Sequence, residues 1–433
     1  MISASLAPWL VTAVPLVGAL AGLTVWSRPD KLKAWSVAMT LLSLLVVLGT
    51  FFRLTASTEG LLFVVLFPLA ACVSLLGQPV HRDHRLAWIM TLVCLGIGLG
   101  IVTLPAPVGR TALPLLLGLI TFLLYWHRDP FWGASWLGIG TCALGTLGAG
   151  VAAATESSLA AILTCAILLP LVPLHHGYVA ALTRLPGSLP AFTVLLLPAV
   201  GLHRLASLMS GFSESMASAV TALALAGALY GTIKAVAQSR VRLLLAYGSL
   251  SFCSLIWWFA AAGHAVRPQA AVFLGSIALV TGGLLLAWQV IRTRYGDDVD
   301  PRAISGLAAR MPQFAVLISL LALASMGLPP FGVFAGFMGL LLASPLSLSI
   351  APLVIAVTWL AASWYILDLV QRLLFGRKRP DLRYEDLRRS EFASLLIVVV
   401  IMVALGIAPT TLFEGAASPT RVGAAVESSS WHR

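Results

Sequence analysis

Residues 306–344, GLAARMPQFAVLISLLALASMGLPPFGVFAGFMGLLLAS, decide how the rest of the chain is read. After a basic entry at Arg310-Met311-Pro312 the stretch is apolar from Phe314 to Met326, breaks at Gly327-Leu328-Pro329-Pro330, and is apolar again through Leu342. That is too long for one straight membrane helix. Adjacent prolines remove backbone donors and crowd the preceding turn, so the expectation is a helix broken inside the membrane. In hydrocarbon each freed carbonyl costs roughly several kcal/mol, so a break persists only where protein packs it or a polar cavity receives it. Discontinuous helices of this kind mark transporters. The alternative is two short helices joined by a tight surface loop; the Gly332-x-x-x-Gly336 spacing favours close helix packing instead.

Working outward, the composition is 59% hydrophobic and only 10% charged over 433 residues, with a mean hydropathy of +0.98. Those values exclude a soluble globular protein. Apolar runs of about 20 residues, the length that crosses a bilayer, read at 7–26, 34–52, 60–77, 86–104, 111–126, 132–153, 158–174, 188–209, 215–237, 243–262, 270–291, 314–346, 350–375 and 392–413. The expected class is an all-α polytopic membrane protein with about fourteen transmembrane helices. The segment Met1 to Val25 lacks a basic start and is interrupted by Pro15, so it reads as the first span and not as a signal peptide.

Charge placement tests the count. All but six of the 27 Lys and Arg residues fall in the odd-numbered connections or at their edges. By the positive-inside bias those connections face the cytoplasm and both termini lie outside, which places the chain in the cell inner (plasma) membrane as a multi-pass protein. The net charge of +11 is then mostly this bias and implies no nucleic-acid partner. The densest basic segments, 292–310 and 372–389, also carry acids, which suits a solvated loop or a partner surface. Cys72, Cys94, Cys142, Cys165 and Cys253 all lie in apolar spans without a CxxC or Cys/His cluster, so they read as packing residues and no metal site is expected.

Ionisable groups inside a membrane mark pathways by default. The run LAAILTCAILLPLVPLHHGY ends in Pro170, Pro173, His175 and His176. The next apolar segment carries Pro198 at its middle, read as a kink, and His203-Arg204 beyond it, with Arg204 snorkelling to the outer interface. Lys234 lies deeper in its apolar run than Arg240 and Arg242 do in theirs. Asp368 sits four residues before Arg372 on one helix face, either a clasp or the mouth of an ion route. The ion-path candidates are therefore Lys234, Arg242, Asp368, His203 and His175. No Walker loop, cluster ligand set or nucleophile–base pairing occurs, so no catalytic chemistry and no cofactor are expected on this chain.

Three pieces of sequence carry a resemblance. QSRVRLLLAYGSLS (238–251), RYGDDVDPRAISGLAARMP (294–312) followed by GLPPFGVFAGF (327–337), and LPLVPLHHGY (169–178) followed by LLLPAVGLHRL (195–205) resemble the antiporter-like membrane subunits of respiratory complex I. Subunits of Mrp-type cation antiporters, membrane-bound hydrogenases and DAB-type inorganic-carbon uptake complexes are similar. The likeness covers roughly residues 60–375. It implies a single transmembrane domain over 1–413, with scaffold helices in 1–77, two inverted five-helix bundles at about 86–209 and 215–375, each with a broken helix, a last helix at 392–413 and a polar tail at 414–433.

The resemblance also implies a central line of Lys, Glu and His that passes protons at mid-membrane. Carried over by position, the lysine before the proline of the V-P-L-H segment falls at Leu168 and the next one at Pro198. The histidine and lysine of the span after residue 270 fall near Ile277 and Thr281, and the acid or lysine after the broken helix at Phe337. The glutamate of the fifth span has no counterpart between Thr111 and Trp126; Arg242 and Phe252 stand for a lysine and a histidine. Leu, Pro, Ile, Thr and Phe do not titrate near neutral pH, and arginine effectively never deprotonates. The chain is accordingly expected to be a scaffold or coupling subunit whose core around Leu168, Pro198, Thr281 and Phe337 is dry and close-packed. The alternative is a conducting subunit with a rearranged path, in a quinone-reductase, hydrogenase, Mrp-type or carbon-uptake complex. Either reading implies other membrane subunits, and in some assemblies a cytoplasmic catalytic subunit, as partners in the bilayer.

Overall fold

The computed structural model describes residues 6–54, 58–127, 134–296, 304–343, 350–376 and 385–407. The polar tail at 414–433 and the end of the last expected span lie outside the described residues. Among the described residues there is no strand. Sixteen α-helices follow one another: α1 (Ala7–Gly22), α2 (Pro29–Thr50), α3 (Thr58–Leu76), α4 (Arg85–Thr103), α5 (Ala106–Trp126), α6 (Ala134–Thr155), α7 (Ser158–Leu168), α8 (His176–Arg184), α9 (Leu189–Leu208), α10 (Glu214–Val236), α11 (Val241–Ala262), α12 (Pro268–Tyr295), α13 (Pro312–Ser325), α14 (Gly332–Ala343), α15 (Ala351–Leu374) and α16 (Arg389–Ile407).

Among the described residues, eleven stretches of helix are long and apolar enough to cross a membrane. The other three apolar runs of the sequence correspond to α3 and to two pairs of shorter helices, α7 with α8, the latter starting just beyond its run, and α13 with α14. The second pair is the break read from Gly327-Leu328-Pro329-Pro330. The first corrects the reading of the residues alone, which closed that span at 174. Pro170 and Pro173 interrupt the helix, and the chain turns helical again from His176 to Arg184. By contrast α9 runs through Pro198 without interruption.

Lipid tails are as apolar as leucine, so burial from water does little to hold such helices together; close packing and interhelical hydrogen bonds do most of it. The central elements are α12, buried along its whole apolar length, and α11 beside it. Glycine permits the tightest approaches. A Cβ at Gly336 would stand 2.6 Å from the Phe273 backbone, which is why α14 can lie directly on α12. Gly231 serves α10 against Tyr247 and Ser251 of α11 in the same way.

The ends that carry most of the basic residues meet on one side. Lys33 Nζ donates to the carbonyls of Leu76 and Gln78, and Arg85 to that of Trp26. Trp88 and Ser188 both donate to Gln78 Oε1. Farther round, Arg294 binds Glu391 at 2.7 Å and the Asp386 carbonyl at 3.1 Å. Asp386 in turn accepts the backbone N–H groups of Gln313 at 2.9 Å and Phe314 at 3.3 Å, two of the orphan donors at the start of α13. Part of the acid-bearing segment 372–389, read from sequence as a solvated loop or partner surface, is thus a cap for the broken helix. At the opposite end an ion pair between Arg110 and Glu156 ties α5 to the α6–α7 turn.

Candidate functional site

Each helix break is closed by an indole at its buried end, Leu169 or Gly327, while Pro173 of the first and Leu328, Pro329 and Pro330 of the second are exposed. Where α7 stops, the Leu169 carbonyl loses its helical partner and accepts instead from Trp257 Nε1 of α11 at 2.9 Å. Both Leu168 and Leu169 are fully buried. Where α13 stops, Gly327 adopts a left-handed backbone, φ 72°, directly under the ring of Trp359. Both breaks contain a cis X-Pro bond, Val172-Pro173 and Pro329-Pro330.

Trp257→Phe keeps the ring bulk but strands the buried Leu169 carbonyl. A loss of about 1–3 kcal/mol of stability is expected, the usual cost of an unpaired buried acceptor. Chemical denaturation in detergent, followed by tryptophan fluorescence, measures it.

Beside the second break lies an aromatic block. Phe337 lies tilted against Trp359 with centroids 4.1 Å apart, Phe252 meets Trp359 at 5.5 Å, and Phe273 meets Phe337 at 5.8 Å. Phe259 closes the far side against Phe337 at 6.3 Å. Ile277 and Thr281 of α12 are buried alongside, and Pro198 of α9 is buried within its own helix packing. A cavity of about 20 Å³ remains, lined by Ser249, Thr281, Ser325 and Tyr365 among apolar neighbours. It has room for one water molecule, which needs about 10–15 Å³. Tyr178 Oη and Ser249 Oγ bond to one another at 2.7 Å beside it. Hydroxyls pass hydrogen bonds but stay neutral near pH 7, so this pocket does not replace a titrating group.

The ion-path candidates fall in separate places. His175, 2% exposed at the start of α8, lies against His176 at 4.2 Å, Tyr230 at 5.2 Å and Tyr247 at 6.2 Å. Neither of its ring nitrogens has a hydrogen-bond partner among the described residues. Lys234 is exposed and holds its ammonium 5.8 Å from the centre of the Tyr230 ring, a cation–π distance. Tyr230 thus links His175 to Lys234. Arg242 is committed elsewhere, to the Thr183 carbonyl at 3.1 Å and to Gln289 at 3.0 Å. Asp368 pairs with Arg372 at 2.8 Å, with side chains 38% and 43% exposed, a setting in which a pair contributes about 0–1 kcal/mol. His203 is at the other end of the bundle, near the close of α9. Among the described residues no group of His, Cys, Asp or Glu is arranged to hold a metal ion.

Sequence reasoning passed over the tyrosines. Tyr178, Tyr230, Tyr247 and Tyr365 all border these central features. Seven tyrosines in so apolar a chain was the available signal, because a phenol buried in hydrocarbon needs a partner.

The sequence profile described as NADH:quinone oxidoreductase/Mrp antiporter, TM, matches residues 110–363. NADH-quinone oxidoreductase subunit M of Pseudomonas aeruginosa is 28% identical over 262 residues, which cover 58% of this chain and 50% of that protein. The chain thus spans about half the length of the curated relatives it matches. In fold it is similar to a chain of respiratory complex I from Thermus thermophilus with bound NADH, with a TM-score of 0.78, 21% identity and coverage of 95% of this chain and 97% of that one. It is equally similar to a chain of the Mrp complex from Dietzia sp. DQ12-45-1b, with a TM-score of 0.78, 17% identity and coverage of 95% and 96%.

Proposed function

The chain belongs to the NADH:quinone oxidoreductase/Mrp antiporter family of transmembrane subunits, and on that premise we propose that it is an architectural or coupling subunit of a multi-subunit proton- or ion-translocating assembly. In this reading the central Lys/Glu/His relay has been replaced by apolar side chains. The observation that carries it is the aromatic block of Phe252, Phe273, Phe337 and Trp359, which fills the space beside the second helix break. A proton path needs groups that bind and release protons near neutral pH, and rings supply none.

The same proposal gives the chain fourteen crossings, with bundles at 86–209 and 215–375, the odd connections on the cytoplasmic side and both ends outside. Its partners are other membrane subunits, whose titrating groups carry the ions, and in some assemblies a cytoplasmic catalytic subunit.

One observation favours the conducting alternative, namely the unpartnered ring nitrogens of His175 next to Tyr230 and Lys234. Vesicle experiments separate the two readings. Proteoliposomes bearing the purified chain are expected to leak protons and sodium no faster than protein-free vesicles, and Lys234→Ala, His175→Ala and Asp368→Ala are expected to change nothing. Robust flux that any of these substitutions abolishes would reject the architectural reading.

A further inference from the structure

At the end of the molecule away from the basic connections, α5, α6, α7 and α9 surround a cavity of about 260 Å³. Much of its wall is alanine, including Ala149, Ala152, Ala153 and Ala161, so the space stays open for want of side-chain volume. Two guanidinium groups border it, with different commitments. Arg110 is held by Glu156, which leaves that pair close to neutral. Arg204 lies half-buried on α9, on the wall of the cavity, and among the described residues its side chain makes no hydrogen bond or ion pair.

An uncompensated cation at the edge of a bilayer and on the wall of a cavity is costly unless water or an anion satisfies it. Snorkelling, the reading from sequence, accounts for an arginine that reaches past its neighbours to solvent. It does not account for the alanine-lined space in front of this one. Further donors face the same space. The N-terminus of α7 opens on it at Ser157 and Ser158, and Ser157 Oγ caps only the Ala160 N–H, which leaves earlier backbone donors available. Ser207 adds a hydroxyl on the α9 side. The cavity is just below the range of about 300–1,000 Å³ that takes a drug-sized molecule, so its occupant is small.

We propose that this vestibule is an oxyanion site, in which Arg204 grips a phosphate-type group through two guanidinium N–H donors and the start of α7 supplies a third. Guanidinium matches phosphate geometry in a way a lysine ammonium does not. The phosphate belongs either to an anionic lipid headgroup entering from the outer leaflet or to a free anion entering from solution. The site is remote from the aromatic block, and its existence does not depend on whether the chain conducts.

The test uses the full chain, delipidated in a maltoside detergent that contains no phosphate. Thermal unfolding is followed by tryptophan fluorescence against inorganic phosphate and, separately, against phosphatidylglycerol, while native mass spectrometry counts retained lipids. One ligand is expected to raise the unfolding midpoint saturably, with Arg204→Gln weakening it by about tenfold or more and Arg204→Lys by less. Ala161→Leu, which fills the cavity and leaves both arginines in place, should abolish binding even if Arg204→Gln fails to fold. A response to inorganic phosphate identifies a soluble anion; a retained phospholipid without that response identifies a headgroup. Absence of both in the unmodified chain, or their persistence in Ala161→Leu, overturns the proposal.

Discussion

Glu391→Ala is expected to destabilise the folded chain by about 3–5 kcal/mol, the cost of removing one partner from a buried ion pair. The Glu391 side chain is 4% exposed and that of Arg294 11%, and they meet at 2.7 Å. The same carboxylate oxygen accepts the backbone N–H of Arg388 at 2.9 Å, immediately before α16 begins, the return bond of a capping box. Alanine therefore leaves a guanidinium without its counter-ion and the helix start without its acceptor. Glu391→Gln keeps the acceptor and forfeits only the charge, so its loss should be smaller. Denaturant titration of the detergent-solubilised variants, read by tryptophan fluorescence, gives both numbers; equal losses for Ala and Gln would mean that charge alone matters.

Gly327→Val is the second large effect. Gly327 sits at φ 72°, where a β-branched residue is strained by about 1–3 kcal/mol. Its missing side chain is also the space that the Trp359 ring occupies, and overpacking of that kind costs a further 1–3 kcal/mol or so. A fall in monodisperse yield on fluorescence-detected gel filtration is expected, together with a markedly lower unfolding temperature. Pairing Gly327→Ala with Trp359→Ala separates the causes, because the second substitution removes the clash and leaves the backbone strain. Complete recovery in the pair would show that the left-handed turn itself costs little.

These two sites illustrate what the sequence made legible. Gly327 could be found because proline and glycine are backbone instructions, readable without any partner. The same holds for the spans, which are long apolar runs, and for the grouping of basic ends, which follows charge alone. Glu391 could not be found in this way. It lies in a segment that reads as a polar connection, and only the arrival of Arg294 from α12 makes it a buried counter-ion. The resumption of α8 after Pro173 was hidden for a related reason: a nine-residue helix with two histidines at its start is too polar and too short to announce itself as part of a span. The resemblance pointed to Leu168, Pro198, Ile277, Thr281 and Phe337 as the places a relay would occupy. How the space around Ile277, Thr281 and Phe337 is filled, by rings from α11, α12, α14 and α15 and by a small hydroxyl-lined pocket, is a property of packing that no spacing encodes.

The cap on α13 has a bearing on how the protein matures. Asp386 supplies the acceptor for Gln313 and Phe314 from more than seventy positions downstream. A ribosome delivers α13, α14 and α15 to the bilayer well before it delivers that carboxylate, so the discontinuous segment must wait, its leading amides served by water, until α16 docks. Insertion of the second half is thereby finished from the rear, by a residue that follows α15 in the chain.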